Sequence, residues 1–181
     1  MISKYFNLIP FAENDLDLKA SAEIKVIDGH VNFHFCLKGD LSPIYIQRDN
    51  GKMNRVIGLW TQTCFEFFIL NKTDGEYFEF NFGSDSSWNC FIFNSYRSEL
   101  TEYSDINIDN IVIKSEDELF TLHCRFELNK LGHNFEDLSN LRVSPTCVLS
   151  CEDDKTYYYS NKHPDTSPNF HHPDSFEDLI P

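Results

Sequence analysis

Two Asp-Gly dipeptides, Asp28-Gly29 and Asp74-Gly75, each interrupt a run in which large apolar residues alternate with polar ones. That combination commits the flanking segments to antiparallel hairpins, because Gly accepts the positive φ that a tight turn between strands demands. Around the first turn, Glu23–Ile27 leads into Val31–Leu37, where Val31, Phe33, Phe35 and Leu37 alternate with Asn32, His34 and Cys36. A strand with those two faces is half buried. Around the second turn, Gly58 through Ile69 forms one arm and Tyr77-Phe78-Glu79-Phe80-Asn81-Phe82 the other. A two-residue loop sets Thr73 opposite Glu76, and hence Phe67 opposite Phe82 and Ile69 opposite Phe80, so the phenylalanines share a core face. The opposite face collects Trp60, Gln62, Cys64, Glu66 and Phe68 from one arm and Tyr77, Glu79 and Asn81 from the other. Aromatic rings mixed with hydrogen-bonding groups are the makings of a ligand surface, and equally of a solvated outer sheet face.

The same punctuation continues along the chain. After Gly83-Ser84-Asp85-Ser86 a further strand begins near Ser87; a four-residue loop pairs Asn81 with Trp88 and puts the indole on the mixed face, whereas a slip of one residue would turn it into the core. Strands follow from Ile106 to Lys114, Glu118 to Glu127, Arg142 to Ser150 and Thr156 to Ser160, with a helical turn at Asn129–Gly132. The start of the chain and residues 38–57 read as irregular. The segment from Asn161 has four prolines and no period, yet Phe170, Phe176, Leu179 and Ile180 give it something to bury, so it should wrap the body as an ordered loop. About ten strands at this spacing describe a single-domain antiparallel β-sandwich, jelly-roll or immunoglobulin-like, spanning 1–181.

Composition narrows the function. Seventeen Phe, eight Tyr and two Trp supply the core, and the formal charge of −14 repels nucleic-acid phosphates and anionic membrane surfaces, so neither is an expected partner. The N-terminus lacks the apolar core of a signal peptide, and no stretch approaches the ~20 apolar residues of a bilayer span, which places the protein in the cytoplasm. The six cysteines, Cys36, Cys64, Cys90, Cys124, Cys147 and Cys151, have no Cys-x-x-Cys spacing and read as buried thiols.

Gly39-Asp40-Leu41, Leu59-Trp60 through Thr63-Cys64-Phe65-Glu66, Phe78 to Phe82 with Trp88, Phe93, Tyr96 and Arg97, and the terminal His163-Pro164-Asp165 to Phe170-His171-His172-Pro173 segment together resemble a bacterial DOMON-like domain, similar to family 9 carbohydrate-binding modules. The resemblance covers nearly the whole chain. It implies a β-sandwich without an obvious catalytic apparatus, in a superfamily whose members bind sugars or haem. A pyranose stacks its C–H face on an aromatic ring and offers a rim of hydroxyls. Trp60, Trp88, Tyr77 and Tyr96 meet the first need, and Gln62, Glu66, Glu79, Asn81 and Arg97 the second. These nine are the candidate ligand-binding residues.

Other chemistries are weighed against this. Haem would need Met53, beside Lys52 and Arg55, or two of His34, His123 and His171. A metal shell would draw on His163, His171 or His172 with Asp165, and Glu152-Asp153-Asp154 could hold Ca²⁺, but neither haem nor Ca²⁺ is favoured and the cofactor is unknown. Glu66 and Glu79 facing each other would suit glycosidase acid–base chemistry, and an enzyme of unknown chemistry around His163, His171 and Glu66 is the alternative. No phosphate-binding loop, Gly-x-Ser-x-Gly elbow or His-Glu-x-x-His is present. The favoured reading is non-catalytic binding of a carbohydrate or other small molecule; the oligomeric state is open, and an aromatic sheet face would also serve a protein interface.

Overall fold

The structure is a computed structural model that describes residues 1–49 and 51–180; Asn50, in the expected loop, and the terminal Pro181 lie outside the described residues. Twelve strands form an all-β antiparallel fold, with no α-helix among the described residues: β1 (Ile2–Pro10), β2 (Leu18–Ile27), β3 (His30–Gly39), β4 (Cys64–Asn71), β5 (Tyr77–Gly83), β6 (Trp88–Phe93), β7 (Thr101–Glu102), β8 (Asn110–Glu116), β9 (Leu119–Glu127), β10 (Leu141–Ser150), β11 (Thr156–Ser160) and β12 (Glu177–Asp178). One layer runs β8-β9-β3-β2-β1 and the other β7-β6-β5-β4-β10-β11, with β12 against β10. Strand β1 joins them: Ile2–Leu8 pair with β2, whereas Ile9 and Pro10 pair with β11. The sheet is thereby curled into two facing layers.

Phenylalanine fills the space between the layers. Phe33 stacks on Phe67 with centroids 4.9 Å apart, Phe65 on Phe120 at 4.8 Å and Phe80 on Phe126 at 4.5 Å, all fully buried. These are the inward positions of alternating strands, where large rings bury most area and pair favourably.

The Asp28-Gly29 hairpin forms as the sequence implies. Both residues have positive φ, 49° and 76°, which is the tight turn that matches strand twist, and Ile27 pairs with His30. The Asp74-Gly75 hairpin turns differently. Asn71 Oδ1 accepts from the Thr73 backbone at 2.8 Å and Asp74 Oδ1 from the Glu76 backbone at 3.0 Å, and these side-chain-supported turns open the loop to Lys72–Gly75. Phe67 therefore faces Phe80, and Phe65 faces Phe82. The displacement is even, so every side chain keeps its expected face.

The next turn corrects the placement of Trp88. Ser86 adopts a left-handed φ of 68°, the Gly83 backbone donates to Ser87 O at 2.8 Å, and the loop closes over Ser84–Ser86 alone. With three residues rather than four, Trp88 pairs with Phe82, and the indole lies in the core under the Arg55 guanidinium, 4.3 Å from its ring. Three further expectations change. The chain start is strand β1, its pattern hidden because Tyr5 and Ile9 are exposed while Phe6 and Leu8 are buried. Trp60 belongs to a 3₁₀ turn, Leu59–Thr61, and Gln62 caps it, so β4 begins only at Cys64. Ile106 and Ile108 are buried ahead of β8 rather than within it. The helical turn before Gly132 is present as a 3₁₀ turn, Leu128–Leu131.

Replacing Trp88 by Ala should cost about 3–5 kcal/mol of stability in urea unfolding, because a core cavity opens. Trp60→Ala should cost only about 1 kcal/mol; equal losses would contradict the register given for β6.

Candidate functional site

The outer face of β4 and β5 carries Cys64, Glu66, Phe68, Tyr77, Glu79 and Asn81, as the alternation implies, but it is far drier than an outer face should be. Glu66 is 3% exposed and Glu79 5%. The cause is the chain after Asn161, which crosses this face as a strap. Phe176 is fully buried among Phe68 and Tyr77, and Arg142 donates to the Phe176 carbonyl, closing the strap's far end. His171 packs edge-on against Phe68 and Phe93, both at 5.2 Å.

Where the strap lifts, a cleft of about 350 Å³ opens. Its walls are aromatic and aliphatic: Trp60, Tyr158 and Phe170, with Val148, Leu100 and Pro168. Glu66 and Glu79 reach it from the sheet, Arg97 and His171 from the loops. Trp60 is held edge-on to Phe91 at 5.7 Å, and Phe170 edge-on to Tyr158 at 6.1 Å.

The two carboxyls are diagonal neighbours, since Glu66 pairs with Asn81 and Glu79 lies two residues earlier on β5. Thr146 Oγ1 donates to Glu66 Oε2 at 2.9 Å, and Asn81 Nδ2 donates to Glu79 Oε1 at 2.8 Å. Behind Glu79 runs a chain of polar contacts. The Arg97 backbone N–H donates to Tyr77 OH at 3.2 Å, leaving the phenol hydrogen for His171 Nδ1 at 2.8 Å. That assigns the ring hydrogen to Nε2, 3.5 Å from Glu79 Oε2.

Burial controls the ionisation of all these groups. It pushes Glu79 up to about 7 against the pull of the Asn81 hydrogen bond. It raises Glu66 well above the usual carboxylate range, with the neighbouring Glu79 charge adding to the effect and Thr146 opposing it. Burial, reinforced by the Arg97 charge, lowers His171 to about 4, so the imidazole is neutral and compensates neither acid. Tyr77 is raised to about 12, mainly by burial.

Of the nine sequence-derived candidates, Trp60, Glu66, Glu79 and Arg97 line the cleft. Tyr77 and Asn81 stand behind it as hydrogen-bonding supports, and Tyr96 lies at the rim, half exposed, its OH accepting from Asn169 Nδ2 at 2.9 Å. Gln62 points elsewhere, its Oε1 accepting from Gln47 Nε2 at 2.6 Å, and Trp88 is in the core. Tyr158 and Phe170 were not among the candidates. The unbroken Tyr157-Tyr158-Tyr159 run has no alternation to assign a face, and a loop aromatic carries no period at all.

The histidines do not converge. His163 Nε2 sits 2.8 Å from the Ile9 carbonyl, His172 Nδ1 accepts from the Asp174 backbone, and among the described residues no three His, Cys, Asp or Glu side chains are grouped to hold a metal ion. His34 and His123 face each other across β3 and β9 on the other layer's outer side, away from His171. Met53 is exposed, and Arg55 is committed to Trp88 and to the carbonyls of Tyr103 and Ile106. Asp153 pairs with Lys155. All six cysteines are free thiols, and no helix is long and apolar enough to cross a membrane among the described residues.

No protein-family model and no curated protein matches the sequence. Solved structures do match the fold. A putative carbohydrate-binding protein from Bacteroides uniformis superposes over 94% of this chain and 84% of its own with a TM-score of 0.63 at 14% identity. A family 9 carbohydrate-binding module from Caldicellulosiruptor kristjanssonii in complex with glucose covers 93% of this chain and 78% of its own, with a TM-score of 0.56 at 9% identity. The module from that organism in complex with cellotriose gives 0.52 at 8% identity, covering 87% of this chain and 71% of its own. The architecture is thus the β-sandwich found in carbohydrate-binding modules.

Because folding retains protons on Glu66 and Glu79, their contribution to stability is present below the ordinary carboxylate range and lost as pH rises through the folded values. His171 has the opposite sign, its depressed value adding stability as pH rises from about 4 through 6.5. Glu66→Gln should therefore gain stability relative to the parent as pH rises from about 5 to about 8 in urea unfolding. A pH-independent difference would mean that Glu66 is not held protonated.

Proposed function

We propose that this chain is a non-catalytic carbohydrate-binding domain and that the cleft between the strap and β4–β5 is its binding site. One observation carries the reading: an aromatic wall of Trp60, Tyr158 and Phe170 stands over buried hydrogen-bonding groups in a concavity the size of a small ligand. A sugar ring is apolar on its face and polar on its rim, and these surfaces match both. Trp60 is the stacking residue, Glu66, Glu79 and Arg97 bind hydroxyls, and Tyr77 and Asn81 position Glu79 and His171. The likeness of fold to proteins described as carbohydrate-binding supports this, as does the resemblance of the sequence to DOMON-like domains. Free thiols throughout fit a reducing, cytoplasmic setting.

The test is thermal and calorimetric titration of the purified protein with glucose, cello-oligosaccharides and a wider sugar panel. A bound sugar at ten times its Kd should add about 1.4 kcal/mol of stability. Trp60→Ala should weaken binding by about tenfold or more while the fold persists, since a stacked aromatic ring contributes on the order of 1 kcal/mol or more when desolvated. A sugar that binds Trp60→Ala and parent equally does not use this cleft.

A further inference from the structure

The floor of the cleft holds two acids without a cationic partner. Two acidic side chains, each at least nine-tenths buried, lie diagonally on neighbouring strands, and among the described residues neither forms a salt bridge with Lys or Arg. Their partners are neutral: Thr146 from β10 for Glu66, Asn81 on β5 for Glu79, and the uncharged His171 ring from the strap at 3.5 Å from Glu79. Cys64 and Tyr77, the other titratable groups on this face of β4 and β5, are neutral as well and raised by burial. Arg97 is the cation of the lining, but its Nη2 is drawn outward to Asn169 Oδ1 at 3.1 Å, and the same Asn169 donates to Asp165 at the rim. Hydroxyl recognition alone does not call for this arrangement. Gln at either position would offer an acceptor and a donor without the cost of desolvating an acid. Two buried carboxyls beside an aromatic wall form a seat for a cation, since carboxylates neutralise it and ring faces attract it.

We propose that the cleft selects a sugar carrying a primary ammonium group, a hexosamine, with the ammonium between Glu66 and Glu79 and the ring against Trp60 and Tyr158. This rests on the carbohydrate reading above and names the class of sugar. In the empty site burial disfavours the charged form of both carboxyls, joined at Glu66 by the neighbouring Glu79 charge, so Glu66 holds its proton well above the usual carboxylate range and Glu79 up to about 7. An entering ammonium supplies the missing positive charge, so binding releases protons from the carboxyls to solvent, and affinity rises with pH while the amine itself stays protonated.

The experiment is isothermal titration of the parent protein with glucosamine, glucose and N-acetylglucosamine at about pH 7, below the usual range of an α-amine, in buffers of different ionisation enthalpy. Glucosamine should bind about tenfold or more tighter than the other two, with net proton release, as expected for a buried charge meeting its counter-ion. The acetylated sugar keeps the ring and loses the charge, so the comparison does not depend on any variant folding. In Glu66→Gln, which retains shape and an acceptor for Thr146, the preference for glucosamine over N-acetylglucosamine should fall to about threefold or less. If glucose and glucosamine bind equally and without proton release, the hexosamine assignment is overturned and the carbohydrate reading stands. If no sugar of the panel binds, both fall.

Discussion

Burial of both faces of the β4–β5–β6 layer is the constraint on which the rest of this structure depends. Its inner face is closed by the opposing layer through stacked phenylalanines, which needs only complementary alternation on two sheets. Its outer face is closed by a strap with little regular structure, and an irregular segment can seal a sheet only where its side chains reach. Phe176 and His171 seal the end that carries Phe68, Tyr77 and Phe93. At the other end the cover is incomplete, and the cleft is the remaining gap. The aromatic seal and the open site are thus two ends of one packing problem, coupled through His171, which belongs to both.

That coupling has an electrostatic side. His171 is fixed by the Tyr77 hydroxyl, which supplies the hydrogen to Nδ1, and by burial, which holds the ring neutral. A charged imidazole beside Glu79 would neutralise it and leave the site electrically satisfied. A neutral one leaves two acids that the core must carry at a cost to stability, offset by a phenylalanine-rich interior. The strain of the site is therefore local, while the overall charge of −14 governs solubility and says little about the cleft.

Strands and faces were legible in the sequence because a period of two leaves its mark residue by residue. The Asp74-Gly75 hairpin shows how robust that information is: its loop differs from the simplest turn, yet an even displacement left Glu66, Glu79 and Asn81 on their expected side. Trp88 shows the limit. A left-handed Ser86 shortened the next loop by one residue, and an odd displacement exchanges core for surface. Trp60 reached the site by a 3₁₀ turn rather than along a strand, which alternation alone does not distinguish. The strap's contacts were not legible beyond the fact of its order, since which face Phe170 and His171 cover depends on residues some ninety positions away, as with the Tyr77–His171 bond, and no local pattern encodes it.

The division between floor and walls bears on how such a fold acquires a ligand. Frameworks at 8–14% identity share the sandwich, so the architecture does not itself choose the chemistry. In this chain the acidic floor is built from central strands, where Glu66 and Glu79 are fixed by pairing register and by hydrogen bonds from Thr146 and Asn81. Most of the walls come from the turn at Trp60, the loop at Arg97 and Leu100, and the strap at Pro168–His171, with Val148 of β10 and Tyr158 of β11 completing them. Loops tolerate change that central strands do not. The shape of an acceptable ligand can therefore drift with the walls, whereas its charge is set by two strand positions that cannot move without turning the sheet over.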